Sequence, residues 1–209
     1  MSGAVPLKCR CGKVRGSIEP ASPDLGRRMV CMCDDCQAYA HWLGNAETVL
    51  DDVGGTDVYQ TTPARVRIDQ GSEHIRCMRL SPKGIFRFYT DCCRTPLGNT
   101  MPQAGVPFVG LVHTCMDHEG AGVSREDAIG PVQGRIQAQH ACGPAPEGSH
   151  PKVPISLLFS SMFGLMGDRI RGQHVPNPFR NDQGEPIHPP TILTLEERKA
   201  AEAKSGPQG

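Results

Sequence analysis

The sequence lacks a charge bias. Lys and Arg number 22, Asp and Glu also number 22, and the pI is about 7.1. Nucleic acid and membrane are therefore not expected partners, since both call for a basic surface. Long apolar runs are missing too. The longest, Ile155 to Met166, is broken by serines and a glycine and stops before Asp168, well short of the roughly 20 residues of a membrane span. Met1 to Lys8 holds no apolar stretch of a secretory signal. Aromatics are scarce, with one Trp, three Tyr and six Phe, so much of the core must be aliphatic. What the chain does have is 24 Gly, 19 Pro and ten Cys. The glycines and prolines favour turns and short strands over long helices. Ten cysteines without an export signal imply a cytoplasmic protein with reduced thiols, which favours metal binding or catalysis over disulfides.

Seven of the cysteines fall in three knots: Cys9-Arg10-Cys11-Gly12, Cys31-Met32-Cys33-Asp34-Asp35-Cys36, and Asp91-Cys92-Cys93-Arg94. Residues i and i+2 of an extended chain share a face, so Cys9 and Cys11 present their sulfurs together before the glycine allows a reversal. Zinc takes four ligands tetrahedrally, thiolates among them; structural sites are full, and catalytic sites keep one position open. The simplest partition is a closed site of Cys9, Cys11, Cys92 and Cys93, and an open one of Cys31, Cys33 and Cys36. Vicinal cysteines complicate it. In extended chain Cys92 and Cys93 would point to opposite faces, so both reach one metal only if the backbone turns there. Otherwise Cys92 would face the second site and close it. A redox role for Cys33 and Cys36 fits less well, because such pairs belong to a βαβ context and here the context is β-rich with a third thiol upstream. Isolated Cys77, Cys115 and Cys142 read as buried small apolar residues. His74, His113, His118 and His140 read as surface or satisfied core residues, Asp34 and Asp35 as solvated loop residues, and Tyr39 and Trp42 as core or as a wall of the open site.

The pattern predicts strands on either side of the first knot, over 4–18, then a loop over 20–26 and a strand Arg27 to Met32 that delivers the second knot. One helical turn over Gln37 to Trp42 follows, then a loop over 43–55. Further strands are expected at Asp57–Gln60, Val66–Ile68, within Ser72 to Leu80, at Ile85 to Tyr89 after the Ser-Pro-Lys-Gly turn, and at Pro107 to His113. Beyond about residue 115 the chain becomes polar and irregular. It carries a short helix Arg125–Ile129 capped by Ser124, a strand within Gly134 to His140, a helix over Ile155 to Arg171 from apolar residues at helical spacing, and a frayed, mostly polar terminal helix. Thr194 with Glu197 makes a capping box for that last helix. The expectation is a mainly β domain over 1–115 and a C-terminal extension over 116–209 with one or two helices, packed on it.

The first two knots, in order and spacing, resemble the glutathione-dependent formaldehyde-activating enzyme family, which includes centromere protein V-like proteins. The resemblance spans about residues 7–115. At the third knot Cys93-Arg94-Thr95-Pro96-Leu97 matches the family's closing motif, with Arg94 where glycine is usual and Cys92 directly before Cys93. The resemblance implies a zinc-centred β-tent of small packed antiparallel sheets, one structural zinc on the early and late cysteines, and a second, labile zinc on Cys31, Cys33 and Cys36. It also implies carbon–sulfur lyase-type handling of an S-hydroxymethylglutathione-like adduct, with glutathione or another small thiol as partner. His41, five residues past Cys36, is the candidate acid/base. Three thiolates on zinc leave a net charge of −1, which suits thiol binding better than carbonyl polarisation. The alternative is a non-catalytic, zinc-stabilised interaction module, and a homo-oligomer is compatible with either.

Overall fold

The computed structural model describes residues 3–206. Strands β1 (Gly3–Lys8) and β2 (Arg15–Ala21) form a hairpin around the first cysteine knot. β5 (Val66–Gln70) pairs antiparallel with β2 to complete a three-stranded sheet. The larger sheet is built from β3 (Arg27–Cys31), β4 (Thr56–Thr61), β6 (Ile75–Arg79), β7 (Phe86–Thr90), β8 (Pro96–Thr100), β9 (Val109–Val112), β10 (Gly134–Ile136) and β11 (Thr191–Ile192). Its order is β10-β3-β4-β9-β8-β7-β6-β11, antiparallel within and parallel at both edges. The architecture is mainly β with a few helices, in agreement with the sequence.

Register sorts side chains between the two faces of this sheet, because successive residues of a strand point oppositely. Tyr59 stands opposite Leu111, and Cys77 opposite Phe88; all four join Val5, Leu7 and Ile18 of the small sheet in the main core. On the other face Met78, Leu80 and Tyr89 pack against Ala38, Tyr39 and Leu43 of helix α1 (Asp34–Leu43). Val112 packs there against Ala40 and against Val49 of the short helix α2 (Ala46–Val49). The large sheet thus lies between the small sheet and α1.

Residues after 115 complete this framework. They supply β10 and β11, the two short edge strands that cap the large sheet's open hydrogen-bonding rows. Phe179 is fully buried in the main core and stacks on Phe88 with ring centroids 4.6 Å apart. Helix α3 (Arg125–Ile129) is capped by Ser124, which accepts from the Asp127 amide. Its Arg125 and Glu126 close a buried network in which Arg28 grips Asp57 at 2.8 Å and Glu126 at 2.8 Å, while Arg125 reaches Asp57 at 2.9 Å.

Four local expectations change. The turn expected over Gln37–Trp42 is a ten-residue helix, and α2 interrupts the expected loop over 43–55. β8 was not expected: Pro96 and Gly98 are poor strand formers, and burial on both faces removes the alternation that marks a strand. The terminal helix α5 (Leu195–Glu202) has the capping box but is docked rather than frayed. Ala201 is buried against α1, Arg198 lies 3.6 Å from Asp35, and the Gly206 amide donates to Gln37 Oε1 at 2.7 Å. The remaining helix, α4 (Ile155–Ile170), holds its expected span, but its apolar residues face outward.

Candidate metal centres

The first centre joins residues more than 80 positions apart. The Cys9–Gly12 turn is fixed by Gly12, at φ 76°, donating to the Cys9 carbonyl, and the Val14 amide donates to Cys9 Sγ at 3.3 Å. The second half is the turn from β7 to β8. The Arg94 amide donates to the Thr90 carbonyl at 2.8 Å, and Arg94 takes φ 59°. That left-handed residue reverses the chain, and the reversal lets both vicinal cysteines face one point. Arg94 stands where the resembled family has glycine, the residue that adopts this conformation without strain. Cys9, Cys11, Cys92 and Cys93 all lie within 4.8 Å of one another. Cys11 to Cys92 is 3.3 Å, Cys9 to Cys11 3.6 Å, and Cys92 to Cys93 3.8 Å. A tetrahedron with zinc–sulfur bonds of 2.3 Å has edges of about 3.8 Å, so the donor set fits a thiolate-bound divalent ion.

Its surroundings favour a thiolate. Burial opposes ionisation of Cys93, but hydrogen bonds from Thr90 and Thr95 outweigh it and bring the thiol down to about 5. Burial and the sulfur of Cys11 push Cys92 up to about 12. One charge is easy to form among four close sulfurs and further ones are not, a repulsion that a bound cation relieves. Asn45 ties this knot to the end of α1: it accepts from Arg10 at 3.0 Å and donates to the Arg94 carbonyl at 2.7 Å.

The second centre lies on the helix face of the large sheet. β3 delivers Cys31, Cys33 is the N-cap of α1, and Cys36 sits in its first turn, its amide donating to the Cys33 carbonyl at 3.0 Å. The aligned amides of a helix start favour negative charge. Cys31, Cys33 and Cys36 lie within 4.8 Å of one another, and among the described residues no fourth His, Cys, Asp or Glu joins them. The Cys33–Cys36 pair does sit on a strand-to-helix turn, yet its flanking strands are antiparallel and Cys31 completes a triad.

Arg87 governs the electrostatics here. It projects from the middle of β7, its side chain only 3% exposed, with Nη1 4.0 Å from Cys36 Sγ and Nη2 4.0 Å from Asp35. Its guanidinium lies over the Tyr39 ring, 5.1 Å from the centroid. Hydrogen bonds from Cys31 and Cys33, and then Arg87, outweigh burial and hold the Cys36 thiol well below the usual range. Cys33 accepts from Cys31, but Cys36 and burial push it up to about 12. The sequence reading missed Arg87, because alternation along Ile85 to Tyr89 places an arginine on a solvent face. Here α1 covers that face.

Other expected residues sort clearly. His41 points away from the triad: five residues along a helix is about 140° around it from Cys36, and His41 lies beside Lys204, with burial lowering its pKa. Asp34 and Asp35 are paired helix residues rather than free loop groups. Asp34 binds His140 Nδ1 at 2.8 Å, and the His140 carbonyl accepts from Gln37 at 2.8 Å. His140 therefore stands beside the three-cysteine turn, which its position in the sequence does not signal. His74 pairs with Asp91, and His113 contacts the Asp57 carbonyl. Cys77 and Cys115 are buried as expected, whereas Cys142 is half-buried and donates to Gln37 at 3.2 Å. Tyr39 is core, and Trp42 packs edge-on against Tyr89 under Arg94.

A cleft of about 660 Å³ opens on the four-cysteine side, walled by Lys8, Arg10, Thr95, His113, His118 and Arg125 among others. None of Cys31, Cys33 or Cys36 lines it.

These features define a mainly β protein with two cysteine clusters, one of four sulfurs and one of three, each able to hold a metal ion. The chain belongs to a family of unknown function, DUF6151, which it matches over residues 1–188. No curated protein matches it. Among solved structures, a crystal structure of a Rhodobacter sphaeroides protein is similar with a TM-score of 0.39 at 14% identity, covering 58% of this chain and 92% of that one. No helix among the described residues is long and apolar enough to cross a membrane.

Proposed function

We propose that the protein binds two zinc ions, a structural one on Cys9, Cys11, Cys92 and Cys93 and an exchangeable one on Cys31, Cys33 and Cys36. We propose further that the second site handles a small thiol or thiol adduct in carbon–sulfur lyase-type chemistry. The observation that carries this reading is the ligand count. The turn at Arg94 commits Cys92 to the four-sulfur group, and the triad keeps a free coordination position. Likeness of the first two knots to the formaldehyde-activating enzyme family supplies the substrate class, an S-hydroxymethylglutathione-like thiohemiacetal.

Zinc with an open position would supply a positive charge that lowers the pKa of an incoming thiol. The chain's own residues fit the rest. Arg87 offsets the net −1 of a zinc tristhiolate and favours an anionic sulfur beside Cys36. Asp34 orients His140 through Nδ1, which makes His140 a better candidate than His41 for taking the adduct's hydroxyl proton. As that proton leaves, the carbonyl forms, the carbon–sulfur bond breaks, and its electron pair stays on sulfur.

The test is metal stoichiometry with X-ray absorption at the zinc edge. Two zinc per chain are expected, and added glutathione should raise the mean sulfur coordination of wild type but not of Cys36→Ser. Four protein ligands at both sites, with no response to thiol, would instead favour the non-catalytic interaction module.

A further inference from the structure

Helix α4 is amphipathic in the inverted sense. Ile155 is 71% exposed, Phe159 54%, Met162 57%, Phe163 64%, Met166 58% and Ile170 82%. At 100° per residue these six fall within a stripe about 80° to 100° wide. The narrower, more covered side carries Leu157, Ser161, Leu165 and Asp168; Ser161 accepts from Arg27 at 2.8 Å and the Asp168 carbonyl from the Gln173 amide at 2.9 Å. The body therefore holds the helix by its small and polar side and presents its large apolar side to solvent.

From this geometry we infer that α4 is a homodimer interface, in which the apolar stripe of one copy packs antiparallel on that of a second copy about a two-fold axis between Met162 and Phe163. The stripe reads nearly the same in both directions about that point. Ile155 falls opposite the copy's Ile170, Phe159 opposite Met166, and Met162 opposite Phe163. Aliphatic meets aliphatic, and thioether meets aromatic ring, a favourable contact. An isologous dimer requires this kind of self-complementarity. The size fits as well. At these exposures the stripe, with Leu158 on its flank, offers roughly 700 Å² of apolar surface, more than the roughly 300–600 Å² of the largest patch on a typical monomer and close to the about 800 Å² per partner of a standard interface. A membrane surface suits it less, because interfacial helices carry Lys and Arg along the polar face. The opposite side of α4 has Ser156, Ser160 and Gly164, and the helix's only charges are Asp168 and Arg169.

The experiment is sedimentation velocity of the metal-loaded protein over a micromolar concentration series. The wild type is expected as a dimer. Phe163→Glu, next to the axis, brings two carboxylates together and should weaken the dimer by at least about a hundredfold while leaving circular dichroism and metal content unchanged, since the side chain is exposed. Phe159→Lys and Met166→Glu should each do the same singly. Combined in one chain they should restore the dimer, because residues 159 and 166 face each other between copies but stand two turns apart within one helix. A monomeric wild type overturns the inference, whether or not it binds anionic vesicles. So does a dimer that Phe163→Glu leaves intact, or a double variant that stays monomeric.

Discussion

Arg87 and Cys36 meet across the gap between β7 and α1, with Nη1 4.0 Å from Sγ, and both are shielded by the helix they help to seat. The cation is held over Tyr39 and beside Asp35, so it cannot swing away to solvent. A charge fixed this close to three sulfurs stabilises their anionic form and hence their hold on a metal. Replacing it with a side chain of similar length, Arg87→Met, should lower zinc affinity at the triad by about 10–100-fold, the scale seen for groups that support metal ligands. Affinity at the four-cysteine site should not change. Chelator competition, which resolves the two sites by their release, checks both.

The four-cysteine site staples the β1–β2 hairpin to the β7–β8 turn. Structural zinc binding is folding free energy, so Cys9→Ser should abolish soluble folding, and a chelator strong enough to strip this site should unfold the wild type. A normally folded, soluble Cys9→Ser protein with native circular dichroism would remove the structural assignment.

The triad sits on one face of a sheet already packed by Met78, Leu80 and Tyr89 against α1. Cys36→Ser should therefore keep the fold and lose one metal equivalent out of two, read by elemental analysis alongside thermal melting. Loss of both equivalents would show that the sites are coupled.

Asp57 is gripped by Arg28 and Arg125, with side-chain exposures of 13% for Asp57 and 7% for Arg28. Breaking a buried pair leaves an uncompensated charge, and Asp57→Asn should cost about 3–5 kcal/mol in urea denaturation. Burial works against the Asp57 carboxylate, but Arg28 and then Arg125 hold its pKa below the usual value. Its native pKa is depressed, so its contribution is present above the unfolded value of about 3.9 and fades as pH falls through the lower native one. The acid limb of the wild-type stability curve should carry this component, and that of Asp57→Asn should lack it.

Much of the site was legible from spacing. A C-x-C followed by glycine, and a C-x-C-x-x-C six residues long, place their own sulfurs together by local geometry, and the structure gathers Cys9 with Cys11 and Cys31 with Cys33 and Cys36. The strands around them followed from turn residues and alternation. Ser124 and Thr194 announced their helices because a cap is a contact within three residues.

Where a residue's partner is distant, the chain says little. Whether Cys92 joined the first site or closed the second depended on the conformation of Arg94, and only the hydrogen-bonded turn between β7 and β8 decided it. Arg87 became a buried counter-charge because α1 covers its face of the sheet, and His140 came to the triad through Asp34, more than 100 positions away. The period of α4 predicted a helix from its own residues, but which side of it would be covered was set by Arg27 and the loop it rests on. Local geometry determined the two cysteine clusters and most of the strands; long-range packing decided which cluster is full, which has room for another ligand, and which apolar surface faces outward.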